Sequence, residues 1–135
     1  MNPIDAKKLQ IFQTVKSVAV VGLSSRPNRA GYYVPAYLQE AGYRIIPVNP
    51  HLKQALGEKA YPDLLAVPEP VDLVLVFRRS EEVLPVVEQA IQIGAKVIWM
   101  QVGVANEPAA AKAEAAGLEV VMDACIMIDH RSLMG

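Results

Sequence analysis

The chain has 135 residues, 53% of them hydrophobic and 20% charged, and its 13 Lys and Arg against 14 Asp and Glu leave a formal charge of −1. That is ample material for one domain core and excludes intrinsic disorder, while the near-neutral balance lacks the basic excess of a sequence-independent nucleic-acid binder. No apolar run approaches the about 20 residues of a membrane-spanning helix, no signal-like apolar segment opens the chain, and the lone Cys125 permits no internal disulfide, so a soluble cytoplasmic protein is expected.

In chain order, Asp5 to Val15 reads as a helix preceding a β-branched strand, Ser17 to Gly22. Tyr33 to Ala41 follows as a helix with Pro35 in its first turn, and Gly42 separates it from a second strand, Tyr43 to Val48. Glu58 to Val67 has weak periodicity, with room for a short helix at Pro62-Asp63-Leu64-Leu65. Val71 to Phe77 is a third strand. Ser80-Glu81-Glu82 then supplies a hydroxyl cap and an acidic first turn for a helix that carries Val83, Leu84, Val87, Ala90 and Ile91 at helical spacing and ends at Gly94. Ala95 to Gln101 is a fourth strand, Asn106-Glu107-Pro108 opens an Ala-rich helix that Gly117 stops, and Leu118 to Asp123 is a fifth strand before a short tail. Several strands are apolar on both faces, which belongs to parallel strands covered by helices on each side. With no linker and no repeat, residues 1–135 are expected to form one α/β domain, a Rossmann-like doubly wound open sheet of about five mostly parallel strands.

In such sheets ligands bind beyond the carboxyl ends of the strands. There the chain places Gly22-Leu23-Ser24-Ser25-Arg26-Pro27-Asn28-Arg29, then Asn49-Pro50-His51-Leu52-Lys53, then Arg78-Arg79-Ser80, then Val102-Gly103. Five of the 13 cations lie on this rim, and no acidic residue interrupts Gly22 to Gln39 or Ala41 to Gly57. Glycine, serines and a helix start favour a phosphate, and arginines add bidentate charge. The dinucleotide fingerprint is not met, since positions 22, 24 and 27 hold Gly22, Ser24 and Pro27, and Asn49-Pro50 stands where an acid would grip a ribose. No G-K-[ST] follows the turn either.

The runs GLSSRPNRAGYYVPAYLQEAGYRIIPVNP (22–50), VDLVLVFRRSEEV (71–83), AIQIGAKVIWMQVGV (90–104) and EAAGLEVVMDACI (114–126) resemble, in order and spacing, the stand-alone CoA-binding proteins, which are similar to the N-terminal domain of the succinyl-CoA synthetase alpha subunit. The resemblance implies CoA or an acyl-CoA as ligand. It implies that Ser24, Ser25, Arg26, Pro27 and Asn28, with Arg29 close by, wrap the CoA phosphates, and that Gly22 lets the backbone turn. Val48, Asn49 and Pro50 would approach the adenosine, with Lys53 offset from the synthetase's lysine. Phe77 and Arg78, and Met100, Gln101 and Val102, would line the remainder of the groove. The synthetase's phosphorylated histidine belongs to a second domain that has no counterpart in these residues, and neither His51 nor His130 sits in a matching motif.

Other residues carry blander readings. Cys125 is expected to be a small buried hydrophobe, Trp99 and Met100 to fill the core, and Tyr32 and Tyr33 to cover the sheet or pack on the ligand. No Cys/His cluster has zinc spacing. Three readings stay open: a CoA-binding module without catalytic machinery of its own, the CoA-site component of a split acyl-CoA ligase or transferase, and a nicotinamide-nucleotide-binding regulator. A protein partner or a homo-oligomer is compatible with each. Neither a nucleic-acid nor a membrane partner is expected.

Overall fold

The computed structural model describes residues 1–135. Five helices and seven strands follow in order: α1 (Pro3–Thr14), β1 (Ser17–Val21), α2 (Ala30–Glu40), β2 (Arg44–Val48), β3 (Gln54–Ala55), β4 (Glu58–Lys59), β5 (Leu73–Val76), α3 (Val83–Gln92), β6 (Val97–Met100), α4 (Glu107–Ala115), β7 (Glu119–Val121) and α5 (Ile126–Met134). The main sheet is five-stranded and parallel, in the order β2-β1-β5-β6-β7. Each expected strand is present, trimmed at its ends.

Alternation along the strands sends side chains into two cores. Ala19, Val21, Ile46, Val74, Val76, Ile98 and Met100 face α3 and α4, whereas Val18, Val20, Ile45, Leu73, Leu75 and Trp99 face α1, α2 and α5. The central strands β1, β5 and β6 are buried throughout, as a sheet covered on both faces requires. Asn106 caps α4 by accepting the Ala109 amide at 3.0 Å, as its sequence position predicts. No helix is long and apolar enough to cross a membrane.

Four expectations are corrected. The helix placed at Tyr33 begins at Ala30, so Pro35 lies in its interior. Proline has no N–H for the carbonyl four residues back, and the Gly31 carbonyl instead accepts the Ser24 amide at 3.0 Å. Ser80 does not cap its helix. It opens a 3₁₀ turn, Ser80–Glu82, and its hydroxyl accepts the Ala105 amide at 3.0 Å, because the loop after β6 competes for it. The tail is a helix, α5, packed on α1 and α2. Between β2 and β5 the chain forms the β3–β4 hairpin and a 3₁₀ turn at Leu64–Ala66, capped by Asp63, where only a short helix is expected.

At the amino ends of the strands the polar groups are paired with one another. Asp72 accepts the amides of Lys16 at 2.8 Å and Ser17 at 3.2 Å, and the Ser17 hydroxyl donates to the Pro70 carbonyl while accepting the Asp72 amide. Burial alone would push the Asp72 carboxyl up; those two amides, with the Lys96 and Lys16 ammonium groups, outweigh it and hold the carboxyl below its ordinary value. Arg44 forks onto both oxygens of Glu69 at 3.0 Å each and reaches Glu58 at 2.6 Å. On α5, His130 stands edge-on to Phe12, Tyr37 and Tyr43, and its Nδ1 lies 2.8 Å from the Tyr37 hydroxyl. Burial there pushes the imidazole pKa down.

Candidate functional site

β1 is flanked by β2, which follows it in the chain, and by β5, to which the chain returns, so the topological switch point lies between β1 and β5. The turn after β1 and the turn after β5 diverge there and open a crevice at the carboxyl edge. Gly22 lines its floor with φ +89°, and a Cβ at this position would meet the Phe77 carbonyl oxygen at 2.2 Å. Only glycine fits. Its amide donates to the Val48 carbonyl, and the Phe77 amide donates to Val21, so the three strand ends close on one another.

The segment from Ser24 to Arg29 carries the chain from the end of β1 to the start of α2. The Ser24 hydroxyl accepts the Arg26 amide at 3.1 Å, the Arg29 amide donates to the Arg26 carbonyl, and the Arg29 carbonyl accepts the amides of Tyr32 and Tyr33 as α2 begins. Arg29 is the residue that precedes α2 and its side chain caps nothing. The amides of Ser25, Asn28, Ala30 and Gly31 have no partner in the chain. They are free donors at a helix start, the arrangement that receives an anion.

Across the crevice, Arg78 is half-buried and lines a cavity of about 160 Å³ with Val21, Val48, Leu64, Pro85 and Val86. Gln89 of α3 holds the same wall by accepting the Leu64 amide at 3.2 Å. Arg26, Arg29, Lys53 and Arg78 form no ion pair, whereas Arg79 lies 3.7 Å from Glu82 and 3.9 Å from Glu81. The rim therefore carries four uncompensated cations on a chain whose formal charge is −1.

Not every residue singled out in the sequence offers its side chain to the crevice. Ser25, Arg26, Pro27, Asn28, Arg29, Pro50 and Lys53 are exposed, and Gly22, Ser24, Phe77 and Arg78 are half-buried around the switch point. Val48 lies in the core with only its edge on the cavity. Asn49 ties two loops together: its Nδ2 donates to the Leu23 carbonyl at 2.9 Å and its Oδ1 accepts the His51 amide at 2.9 Å. Met100 is fully buried beneath α3 and α4 and presents no side chain to a groove. The parity of β6 points it inward. Gln101 is 5% exposed, and its Oε1 accepts the Ile126 amide at 3.2 Å, which anchors the start of α5 in place of a local cap. Val102 is 60% exposed on the far rim. Trp99 is core, with its Nε1 donating to the Ala124 carbonyl at 2.9 Å, and Cys125 is half-buried rather than enclosed. The cavity wall formed by Leu64, Pro85, Val86 and Gln89 has no sequence signal beyond ordinary core periodicity, and only the fold assembles it.

Comparison with known proteins gives a consistent result. The family described as CoA binding domain matches residues 16–131. The uncharacterized protein YneT of Bacillus subtilis is 45% identical over 129 residues, which cover 96% of each chain. The alpha subunit of an ADP-forming acetate–CoA ligase from Pyrococcus furiosus is 36% identical over 98 residues, covering 67% of this chain and only 21% of that subunit. Among solved structures, a hypothetical protein from Pyrococcus horikoshii superposes with a TM-score of 0.95 at 39% identity, covering 100% of this chain and 98% of that one.

Proposed function

The chain belongs to the CoA-binding domain family, and from that premise we propose that it binds CoA or an acyl-CoA in the crevice between β1 and β5, as a binding module without chemistry of its own. The observation that carries the reading is the concentration of unpaired charge at the strand ends: Arg26, Arg29, Lys53 and Arg78 have no acidic partner, and the Ser25, Asn28, Ala30 and Gly31 amides of the turn into α2 are free. CoA brings a pyrophosphate and a 3′-phosphate, which suit those donors. The pyrophosphate lies against Ser24 to Arg29, and the adenine enters the apolar cavity beside Val21, Val48 and Val86. Pocket size favours a base and leaves the acyl chain along the exposed rim toward Val102.

Thermal unfolding against CoA, acetyl-CoA, NAD(H), NADP(H), FMN and ATP tests this. A ligand at about 100 times its Kd raises stability by ~2.7 kcal/mol, so CoA is expected to shift the transition and the nicotinamide nucleotides to leave it in place. A shift with NAD(H) alone would retain the fold and overturn the ligand.

The alignment with part of an acetate–CoA ligase subunit favours a second reading, in which the chain lends its CoA site to a separate polypeptide that carries ligase chemistry. Affinity purification of the tagged chain from its own cells distinguishes the two. A stoichiometric second polypeptide with ligase activity supports the split enzyme; the chain alone, saturable by CoA, supports the module.

A further inference from the structure

We propose that Arg78 is the residue that reads the 3′-phosphate of CoA, and so sets the site for 3′-phosphorylated adenine nucleotides over their dephosphorylated forms. This rests on the CoA reading above.

The ribose joins the pyrophosphate to the adenine, so it must lie between the Ser24–Arg29 turn and the apolar cavity. The switch point fixes what stands there. Gly22 approaches the Phe77 carbonyl so closely that even a methyl group would overlap it, so the next residue, Arg78, leaves the end of β5 where the chain turns out of β1. Its side chain lines the cavity itself.

The other cations are placed differently. Arg26 and Arg29 belong to the exposed turn, Lys53 is exposed beyond the Asn49 turn, and Arg79 faces Glu81 and Glu82. The one acid on the cavity wall, Asp63, accepts the Ala66 amide and makes no ion pair with Arg78. A half-buried guanidinium without a counter-ion loses hydration with nothing to replace it. A phosphate monoester fills both needs, because its oxygens match the guanidinium fork.

The test is the ratio of Kd for dephospho-CoA to Kd for CoA, measured calorimetrically for the unaltered protein and for Arg78→Ala, Arg78→Lys, Arg26→Ala and Lys53→Ala, each with its thermal transition recorded. The unaltered protein is expected to favour CoA by roughly ten- to a hundredfold, the span of one charge-assisted contact. In Arg78→Ala the ratio falls to near unity because CoA weakens while dephospho-CoA holds its affinity, and Arg78→Lys keeps an intermediate ratio. Arg26→Ala weakens both ligands and preserves the ratio. A ratio that survives Arg78→Ala, or collapses only in Lys53→Ala, overturns the assignment while leaving CoA binding intact. Absence of CoA binding by the unaltered protein overturns the functional reading and this assignment together.

Discussion

The two edges of the sheet hold their charges in opposite ways. At the amino edge, Asp72 is satisfied by two backbone amides, Arg44 by two glutamates and His130 by three aromatic rings and a tyrosine hydroxyl. At the carboxyl edge, Arg26, Arg29, Lys53 and Arg78 are left without partners, and four amides of the β1–α2 turn donate to nothing in the chain. The same kinds of group are internally compensated where they hold the fold and uncompensated at the edge proposed for the ligand. Compensation therefore distinguishes the two edges without reference to sequence motifs.

The largest expected effect breaks this division at its weakest point. Gly22 lies on the carboxyl edge yet is required by the fold: Gly22→Ala places a Cβ 2.2 Å from the Phe77 carbonyl at a left-handed φ. The expected cost is about 3 kcal/mol or more, read from urea unfolding. A loss below about 1 kcal/mol would mean that the switch point relaxes freely.

Asp72→Ala is the next largest. It strands the Lys16 and Ser17 amides, and unfolding should register roughly 1–3 kcal/mol of destabilisation with CoA affinity unchanged. A change in affinity comparable to the change in stability would contradict the separation of the two edges.

Acid sharpens the comparison further. His130 has a folded-state pKa below its ordinary 6.5, so the stability it contributes is full above that value and is lost as pH falls through it toward the lowered one. Asp72, also held below its ordinary 3.8, adds a second loss deeper in the acid range, as pH falls through that value and then through the lowered folded one. Stability measured across this range should decline in two stages, and His130→Phe should remove the upper one. A single stage that persists unchanged in His130→Phe would discharge the imidazole from this role.

Arg26→Ala and Arg29→Ala should do least to the fold, within about 0.5 kcal/mol, because exposed cations without partners hold nothing in place. Calorimetry should nonetheless record weakening of CoA by roughly tenfold or more in each. Unchanged affinity in both would remove the turn after β1 from the site.

Much of this is legible in the sequence alone. The strands announced themselves through runs such as Val18 to Val21 and Leu73 to Val76, and the cationic rim through residues adjacent in sequence. What was not legible depends on distant partners. The α5 helix has no local cap and carries Asp129, His130 and Arg131 among its apolar positions; it is held by Gln101, by the Lys8–Asp129 ion pair at 2.8 Å and by the aromatic cluster. Ser80 has the chemistry of a cap, but the loop after β6 engages its hydroxyl. Met100 sits at a strand end, where position in the chain suggests the groove and side-chain parity decides for the core, while the next residue, Gln101, is engaged by the distant Ile126 amide.

Pro35 gives the β1–α2 turn one further property. The carbonyl it leaves free in α2 takes the Ser24 amide, and Gly31, which bears that carbonyl, packs so close that an added Cβ would lie 3.3 Å from the Gly22 oxygen. The turn is thereby moored to a helix before any ligand arrives. Ordering a mobile backbone costs about 1–2 kcal/mol per residue, and a loop that is immobile at rest does not subtract that sum from its affinity. On the proposed reading, an interruption that weakens the helix by one bond thus reduces the entropy lost when an anion settles onto the turn.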